Sequence, residues 1–470
     1  MKIHLSAVCG TAMASLAGLL KARGHEVSGS DQDVYPPMSS QLEALGITLR
    51  SPYAEANVPA DADLVVIGNA LSRGNPEVEA VLDRKQRYTS APALIAEEFL
   101  RGRRSLVVAG THGKTTTSSL LAYLLDRAGL DPSFLIGGVP RDFEHSFRLG
   151  GGPDFVIEGD EYDCAFFDKR PKFVHYLPDV AIVNNVEFDH ADIYPDLAAV
   201  ETAFFRLLQV VPRSGLVVAG IESPALAGLL GRARSRVKTF GVGVAADWRA
   251  DLLDTSAAGS RFRLNADGAE AGEWLLPLPG VHNVRNALAA LCAAQEAGLP
   301  LEAARAALPG FRGVRRRLEL RGRQGGIAVY DDFAHHPTAV RETLRALRLL
   351  EADALAAGGR LVAVFEPRSY TAKSSVFQDD FARAFAEADE LIVAAVHLPG
   401  KVPEGRRLSE AGLARTVQSL GRSGRFIPAV PEIVAALAAE ARAGDVVAVL
   451  SNGGFGGIHQ RLLDAFAARA

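Results

Sequence analysis

Ser105–Leu125 reads SLVVAGTHGKTTTSSLLAYLL. An apolar run ends at Gly110, a short turn follows, and polar residues then give way to a helical apolar pattern. Strand, tight turn and helix in that order set backbone N–H groups at a helix N-terminus, where they collect around an anion. An ordinary P-loop is spelled G-x-x-x-x-G-K-[ST]. Here its first glycine position holds Val108, and the spacing is the shorter Gly110-Thr111-His112-Gly113-Lys114-Thr115. The useful groups survive the shortening. Gly110, Thr111 and Gly113 let the backbone approach a phosphate, Lys114 neutralises β/γ charge, and the hydroxyl of Thr115 or Thr116 reaches Mg²⁺. A plain strand–turn–helix corner would not need a Lys-Thr-Thr-Thr run. ATP with Mg²⁺ is the expected ligand pair.

Outward from this loop, strand and helix patterns alternate over most of the 470 residues, which predicts parallel α/β sheets. KIHLSAV, Met13–Arg23, HEVSGSD and ADLVVIGNA form a first unit. An arginine-rich break, RGRRS at Arg101–Ser105, precedes the second. The second carries DFVIEGDE, VAIVNNVEFDH and a turn-dense antiparallel excursion, SAAGSRFRLNADGAEAGEWLLPLPG. The third begins near GIAVYDDFAHHP and holds strands at RLVAVFE, ELIVAAV and DVVAVLSNGG. The fold class is α/β in three domains. A Rossmann-like N-terminal domain occupies 1–103, a central P-loop-type ATPase domain 104–317, and a C-terminal Rossmann-like α/β domain 318–470.

Composition excludes several classes. Net charge is −4, with 48% hydrophobic and 23% charged residues, so neither a nucleic-acid surface nor a membrane surface is called for. Cys9, Cys164 and Cys292 are too few and too scattered for a disulfide framework or a zinc knuckle, which fits a reducing cytoplasm. The N-terminal MKIHLSAVCGTAMASLAGLL imitates an export signal. His4 interrupts its apolar run, however, and HEVSGSD follows at once as a second strand, so strand–turn–helix is the better reading.

Two acidic clusters flank the loop in sequence. VIEGDEYD brings Glu158, Asp160, Glu161 and Asp163 to a strand end, where they repel unless a cation sits among them. A divalent ion bridging to phosphate is the economical answer. NNVEFDHAD places Asn185, Glu187, Asp189 and His190 at the same edge after the next strand. HNVRNALAA offers the amides of Asn283 and Asn286, which suit an adenine edge or a helix cap equally well. VRRRLE supplies Arg315, Arg316 and Arg317, and YDDFAHHP supplies Asp331, Asp332, His335 and His336. An arginine near a γ-phosphate, with an acid and a histidine from another domain, would make a phosphoryl-transfer clamp.

Together these motifs resemble the Mur ligase family, ATP-dependent amide-forming enzymes of peptidoglycan synthesis, over the whole chain. The family's G-T-x-G-K-T-T loop is Gly110–Thr116, with His112 as its variable residue. CGTAM followed by GSD (Gly29–Asp31) resembles the branch that holds UDP-N-acetylmuramic acid. DVYPPMS (Asp33–Ser39), GNALSRGNPEVEAVL (Gly68–Leu82), AFFDKRPKFVHY (Ala165–Tyr176) and SNGGFGGIHQRLL (Ser451–Leu463) are similar to the member that attaches a recovered L-alanyl-γ-D-glutamyl-meso-diaminopimelate tripeptide. The L-alanine-adding member is the alternative. The resemblance implies that Lys114 and Arg317 stabilise the transferred phosphoryl group, and that Thr115, Glu161 and His190 hold magnesium. It puts Asn283 and Asn286 on the adenine side, with Asp332 and His335 reaching in from the C-terminal domain. Gly10, Thr11, Ala12 and Met13 would meet the UDP, with Asp31 near its edge, and His112 would lie where the muramate carboxylate approaches. Arg368 and Lys373 are the candidates for the carboxylates of the peptide. Several family members carry a carbamylated lysine soon after the magnesium histidine. No lysine lies between Lys172 and Lys238 here, so none is expected. A monomer or weak homodimer is the expected state.

Two other classes compete. A nicotinamide-dependent oxidoreductase would need G-x-G-x-x-G, and AVCGTAMAS has a single glycine. A regulatory ATPase would release phosphate without a muramate acceptor.

Overall fold

The computed structural model describes residues 1–32, 34 and 38–469. DVYPPMS therefore lies partly outside the described residues. Three main sheets succeed one another along the chain. The first is five-stranded and parallel, in the spatial order Thr48–Arg50, Glu26–Ser30, Lys2–Ser6, Leu64–Ile67, Tyr88–Ser90. Strand order reverses beside Lys2–Ser6, the kind of switch point at which open α/β sheets bind ligands. The second sheet has ten strands. Its parallel middle contains Arg104–Ala109 between Val180–Val183 and Asp154–Gly159. One flank is the antiparallel run Trp248–Ser256, Gly259–Ala266, Ala269–Leu276, where the turn-dense sequence placed it. The third sheet has six strands, with Glu319–Gln324 antiparallel at its edge and the remainder parallel.

The strand Arg104–Ala109 shows why the middle sheet is so apolar. Successive side chains of a strand point to opposite faces. Val107 and Ala109 enter one core while Leu106 and Val108 enter another, both under helices, so every position must be apolar. The core beneath Val107 continues into the N-terminal sheet. Leu16, Phe99 and Leu100 pack in the same cluster as Phe155, Phe173 and Phe204. The arginine-rich break is thus a change of sheet without a loose linker. Arg104 holds Asp154 through two bonds of 2.5 and 3.0 Å and the Ala297 carbonyl at 2.7 Å. Arg103 reaches the carbonyls of Gly150 and Gly152 at 3.0 and 3.1 Å.

A small hairpin, Asp163–Ala165 with Asp168–Pro171, leaves the middle sheet and lays Phe166 on the N-terminal cluster that contains Ile67, Leu71 and Val78. Beside it, Phe167 meets Tyr88 edge to face at 5.0 Å between centroids. Among the described residues no helix is long and apolar enough to cross a membrane.

Candidate active site

The helix Lys114–Arg127 starts at Gly113, whose φ of 84° is left-handed and favours glycine. A β-carbon there would come within 2.7 Å of Asn184 Nδ2 and closer still to Asn286 Oδ1, so the backbone is pressed onto two buried amides. Those amides brace the turn. Thr117 donates to Asn286 Oδ1 at 3.2 Å, and Asn184 Nδ2 donates to Thr117 Oγ1 at 3.0 Å. Asn283 donates to the Pro279 carbonyl at 2.8 Å. Asn283 and Asn286 therefore stand behind the phosphate loop with their polar atoms engaged by it and by the start of their own helix. His112 is fixed at its N–H by Asn185 Oδ1 at 2.8 Å, and its ring faces Glu187 at 3.4 Å.

Lys114, Glu161 and His190 form the charged centre. Lys114 Nζ lies 2.9 and 3.2 Å from the two Glu161 oxygens and donates to the Gly110 carbonyl at 2.7 Å. His190 Nε2 is 3.0 Å from Glu161 Oε1. Glu161 is 2% exposed. Burial acts against its charge, but Lys114 and His190 outweigh it and hold the carboxyl below its ordinary range. Burial likewise opposes a charged His190, yet the Glu161 bond and the Glu161 and Asp189 charges lift it to about 9. His190 also has a left-handed φ of 54°, a costly conformation for a residue other than glycine and one that clusters at functional sites. Two further acids stand beside them. Burial raises Glu158, which accepts the Gly137 N–H at 2.7 Å, and Asp160 is held ionised against burial by Lys172 at 2.5 Å.

This donor set fits a divalent cation. A buried carboxylate lies between a cationic lysine and a protonated histidine, so a metal would take over positive charge that the site already demands. Thr115, whose hydroxyl helps to counter the effect of burial on Glu158, follows Lys114 directly. Gly110 and Gly113 are pressed onto Asn184, Asn185 and Asn286, which fixes the turn ahead of a helix N-terminus, where an anion is favoured.

The third sheet contributes from above. Arg317 lies over the Phe333 ring at 5.2 Å, and its charge acts on Glu158, Asp332 and His335. Its neighbour Arg316 turns away to the carbonyls of Ser451 and Gly453 at 2.6 and 2.7 Å. Asp332 faces inward. It accepts the N–H groups of Leu318 and Ala334 at 2.7 and 2.8 Å, and burial raises its carboxyl. His335 is pushed down by burial and feels the charges of Asp189 and His190.

Three contacts that the sequence did not single out join this sheet to the central one. Thr371 donates to Asp189 at 2.5 Å, Thr338 donates to Glu187 at 2.7 Å, and His336 meets the Phe188 carbonyl at 3.1 Å. Their only trace in the sequence is proximity to HHP and EPRS, because each partner lies about 150 or more residues away. Tyr194, which donates to the Glu161 carbonyl at 2.7 Å, carries no motif signal of its own, because its partner is a main-chain group 33 residues away.

The remaining candidates sit at two ends. Gly10 caps the helix Thr11–Ala22 without a side-chain bond; Gly10 and Ala12 are exposed, Thr11 is half-buried, and Met13 points into the core. Asp31 braces this turn by accepting the N–H groups of Cys9 and Gln32, both at 2.8 Å, and the Tyr53 hydroxyl at 3.0 Å. Arg368 packs against Gly453 and lies 3.9 Å from Glu366. Lys373, although charged, is 3% exposed and reaches the Leu398 carbonyl at 3.4 Å.

Comparison with known proteins gives three family matches in chain order: the Mur ligase family catalytic domain over 2–102, the Mur ligase middle domain over 108–294, and the Mur ligase glutamate ligase domain over 316–453. An Escherichia coli protein named UDP-N-acetylmuramate–L-alanyl-γ-D-glutamyl-meso-2,6-diaminoheptandioate ligase is 45% identical, covering 100% of this chain and 99% of its own. The solved murein peptide ligase of Psychrobacter arcticus is 40% identical, covers 99% of both chains and superposes with a TM-score of 0.75. The UDP-N-acetylmuramate–alanine ligase of Thermotoga maritima is 26% identical over 100% of both chains, with a TM-score of 0.82. Identity and superposition thus rank the last two oppositely. Superposition of a three-part chain follows how its parts are arranged, whereas identity follows which side chains line the sites, so identity carries more weight for substrate.

Proposed function

The chain belongs to the Mur ligase family, whose members are ATP-dependent ligases forming amide bonds, and we propose that its reaction joins UDP-N-acetylmuramic acid to the tripeptide L-alanyl-γ-D-glutamyl-meso-diaminopimelate in the cytoplasm, during peptidoglycan recycling. The observation that carries the substrate assignment is 45% identity, end to end, with a ligase of that name. A second reading, L-alanine as the acceptor, draws on the higher TM-score of the alanine ligase.

The chemistry starts from a poor acyl donor. The lactyl carboxylate attacks the γ-phosphate of ATP, the bond to the β-phosphate breaks, and ADP leaves as the acyl phosphate forms; the peptide's neutral α-amine then attacks the carbonyl, loses a proton, and phosphate leaves. In this reading Gly110, Thr111, Gly113, Thr115 and Thr116 present the helix N-terminus to the phosphates. Lys114 swings from Glu161 to the transferred group, and Arg317 approaches it from the C-terminal side. Thr115, Glu161 and His190 would hold Mg²⁺, which when bound neutralises phosphate charge. His112, aligned by Asn185 and Glu187, orients the muramate carboxylate. Asp332 and His335 shape the roof of the nucleotide site, and Asn283 and Asn286 fix the loop on the adenine side. Gly10–Met13 and Asp31 form the UDP end. Arg368 and Lys373 meet peptide carboxylates. The domain limits 1–103, 104–317 and 318–470 assign one substrate to each unit.

The test is product mass. Purified protein is given ATP, Mg²⁺ and UDP-N-acetylmuramic acid with either L-alanine or the tripeptide. The tripeptide adduct is expected. An adduct with L-alanine alone overturns the acceptor assignment, and no adduct with either overturns the ligase reading.

A further inference from the structure

We propose that His112, Glu187 and His336 form a second metal site, selective for a transition ion of the zinc class, that closes across the seam between the central and C-terminal sheets. One ligand atom from each lies within 4.8 Å of the others. His112 Nε2 is 3.4 Å and His336 Nδ1 4.0 Å from Glu187 Oε2. Zinc bonds of about 2.0–2.1 Å in a tetrahedron put neighbouring ligand atoms roughly 3.3 Å apart, so the pairs with Glu187 need a contraction of less than about 1 Å.

The tautomer is already set for a ligand. His336 Nε2–H donates to the Phe188 carbonyl at 3.1 Å, which leaves the Nδ1 lone pair facing Glu187. Ligating histidines are held in this way by a carbonyl on their other nitrogen. Burial pushes His336 down to about 4, so the ring is neutral. Glu187 is held at about 2 against burial, chiefly by His112, and its carboxylate also accepts the Thr338 hydroxyl. The bond that a metal must displace at His336 is a 3.3 Å cap from the Thr338 N–H. Two imidazoles and one carboxylate favour zinc, nickel or cobalt over magnesium, which prefers oxygen. A cavity of about 220 Å³, lined by Glu187, Phe188, His336, Thr338 and Phe377 among others, gives an entry route. None of the three ligands belongs to the Lys114, Glu161 and His190 centre. Because His112 and Glu187 come from the central sheet and His336 from the C-terminal one, an ion there pins the seam and takes His112 out of use. Zinc bound at this site therefore inhibits.

The test titrates zinc chloride into the full-length protein by calorimetry, with saturating Mg²⁺ and no nucleotide. One equivalent is expected, weakened on the order of 100-fold in His336→Gln and in Glu187→Gln and unchanged in His190→Gln. Zinc X-ray absorption on the wild-type protein should count two imidazoles, a readout independent of how well any variant folds. No saturable binding overturns the proposal. So does binding that is lost in His190→Gln but kept in His336→Gln, or a spectrum with one imidazole, since either places zinc on Glu161 and His190. Binding is read without turnover, so this result stands apart from the identity of the peptide acceptor.

Discussion

Replacing Gly113 by alanine tests the reading of the phosphate loop at its tightest point. A non-glycine residue at a φ of 84° costs about 1–2 kcal/mol. The new β-carbon would also sit 2.7 Å from Asn184 Nδ2 and nearer to Asn286 Oδ1, well inside contact distance. Moving Asn286 away breaks its 3.2 Å bond from Thr117 in a buried place, for roughly another 1–3 kcal/mol. The sum is about 2–5 kcal/mol. Gly129, beyond the other end of the same helix, supplies the control: its φ is 73° and a β-carbon there meets nothing within 4 Å. Gly129→Ala should cost only the backbone term, about 1–2 kcal/mol. Both tryptophans of the chain, Trp248 and Trp274, are buried in the central sheet, so fluorescence in urea follows that unit in particular. Gly113→Ala should lower the midpoint further than Gly129→Ala at unchanged slope, and should weaken binding of a fluorescent ATP analogue about tenfold or more while Gly129→Ala leaves it alone. Equal midpoints together with unaltered nucleotide affinity would falsify the argument that the loop is pressed onto its amides.

Three other outcomes follow from the packing. Burial alone would raise Glu77, but His4 beside it and bonds from Ser30, Ser6 and Asn57 outweigh it and hold the carboxyl near 2 against an ordinary 4.5. A depressed carboxyl stabilises fully above about pH 4.5 and loses that contribution as pH falls toward 2, here about 3 kcal/mol. Circular-dichroism urea melts between pH 5 and 2 should show this component, and Glu77→Gln should flatten it. Thr371→Val removes the 2.5 Å bond to Asp189 at nearly constant volume, at a cost of about 1.5–3 kcal/mol of docking. X-ray scattering should report a larger radius and kinetics a lower kcat/KM with ATP affinity unchanged; an unchanged radius means the contact does not hold the seam. Phe166→Ala removes the hairpin's ring from the N-terminal cluster, for about 3 kcal/mol or somewhat less because the ring is only partly buried. Its signature is faster hydrogen exchange in Tyr88–Ser90 and a raised KM for the UDP-sugar, and normal exchange there refutes the strut.

The parts of this molecule that were legible in its sequence share one property: their partners are near in the chain. Alternation in RSLVVA, the glycine turn, the acids at strand ends and the antiparallel run before Gly280 all follow from local periodicity and turn chemistry. Arg103 and Arg104 looked like a polar break because the Gly150, Gly152, Asp154 and Ala297 groups they grip lie some 45 to 195 residues on. The tandem His335–His336 is the sharpest case. Sequence marks both as available, but only the fold turns His335 toward the Asp189–His190 side and sends His336 to Phe188. The amides of Asn283 and Asn286 suit a base or a brace equally well in sequence, and the bond that Asn286 accepts from Thr117, more than 160 residues away, is one that only the fold reveals.

The same distance rule changes what the distinctive stretches are for. GNALSRGNPEVEAVL and AFFDKRPKFVHY set this chain apart within its family resemblance, and a change of acceptor would lead one to look for them beside the peptide. They meet each other instead. Phe166 of the second packs on the cluster that contains Leu71, Val78 and Val81 of the first, at the junction of the N-terminal and central sheets. The base of that hairpin runs straight into the charged centre through Asp160–Lys172, one residue before Glu161. A hairpin rooted beside the acid that faces Lys114, with its tip on the N-terminal unit, ties the position of the Glu161 segment to that unit.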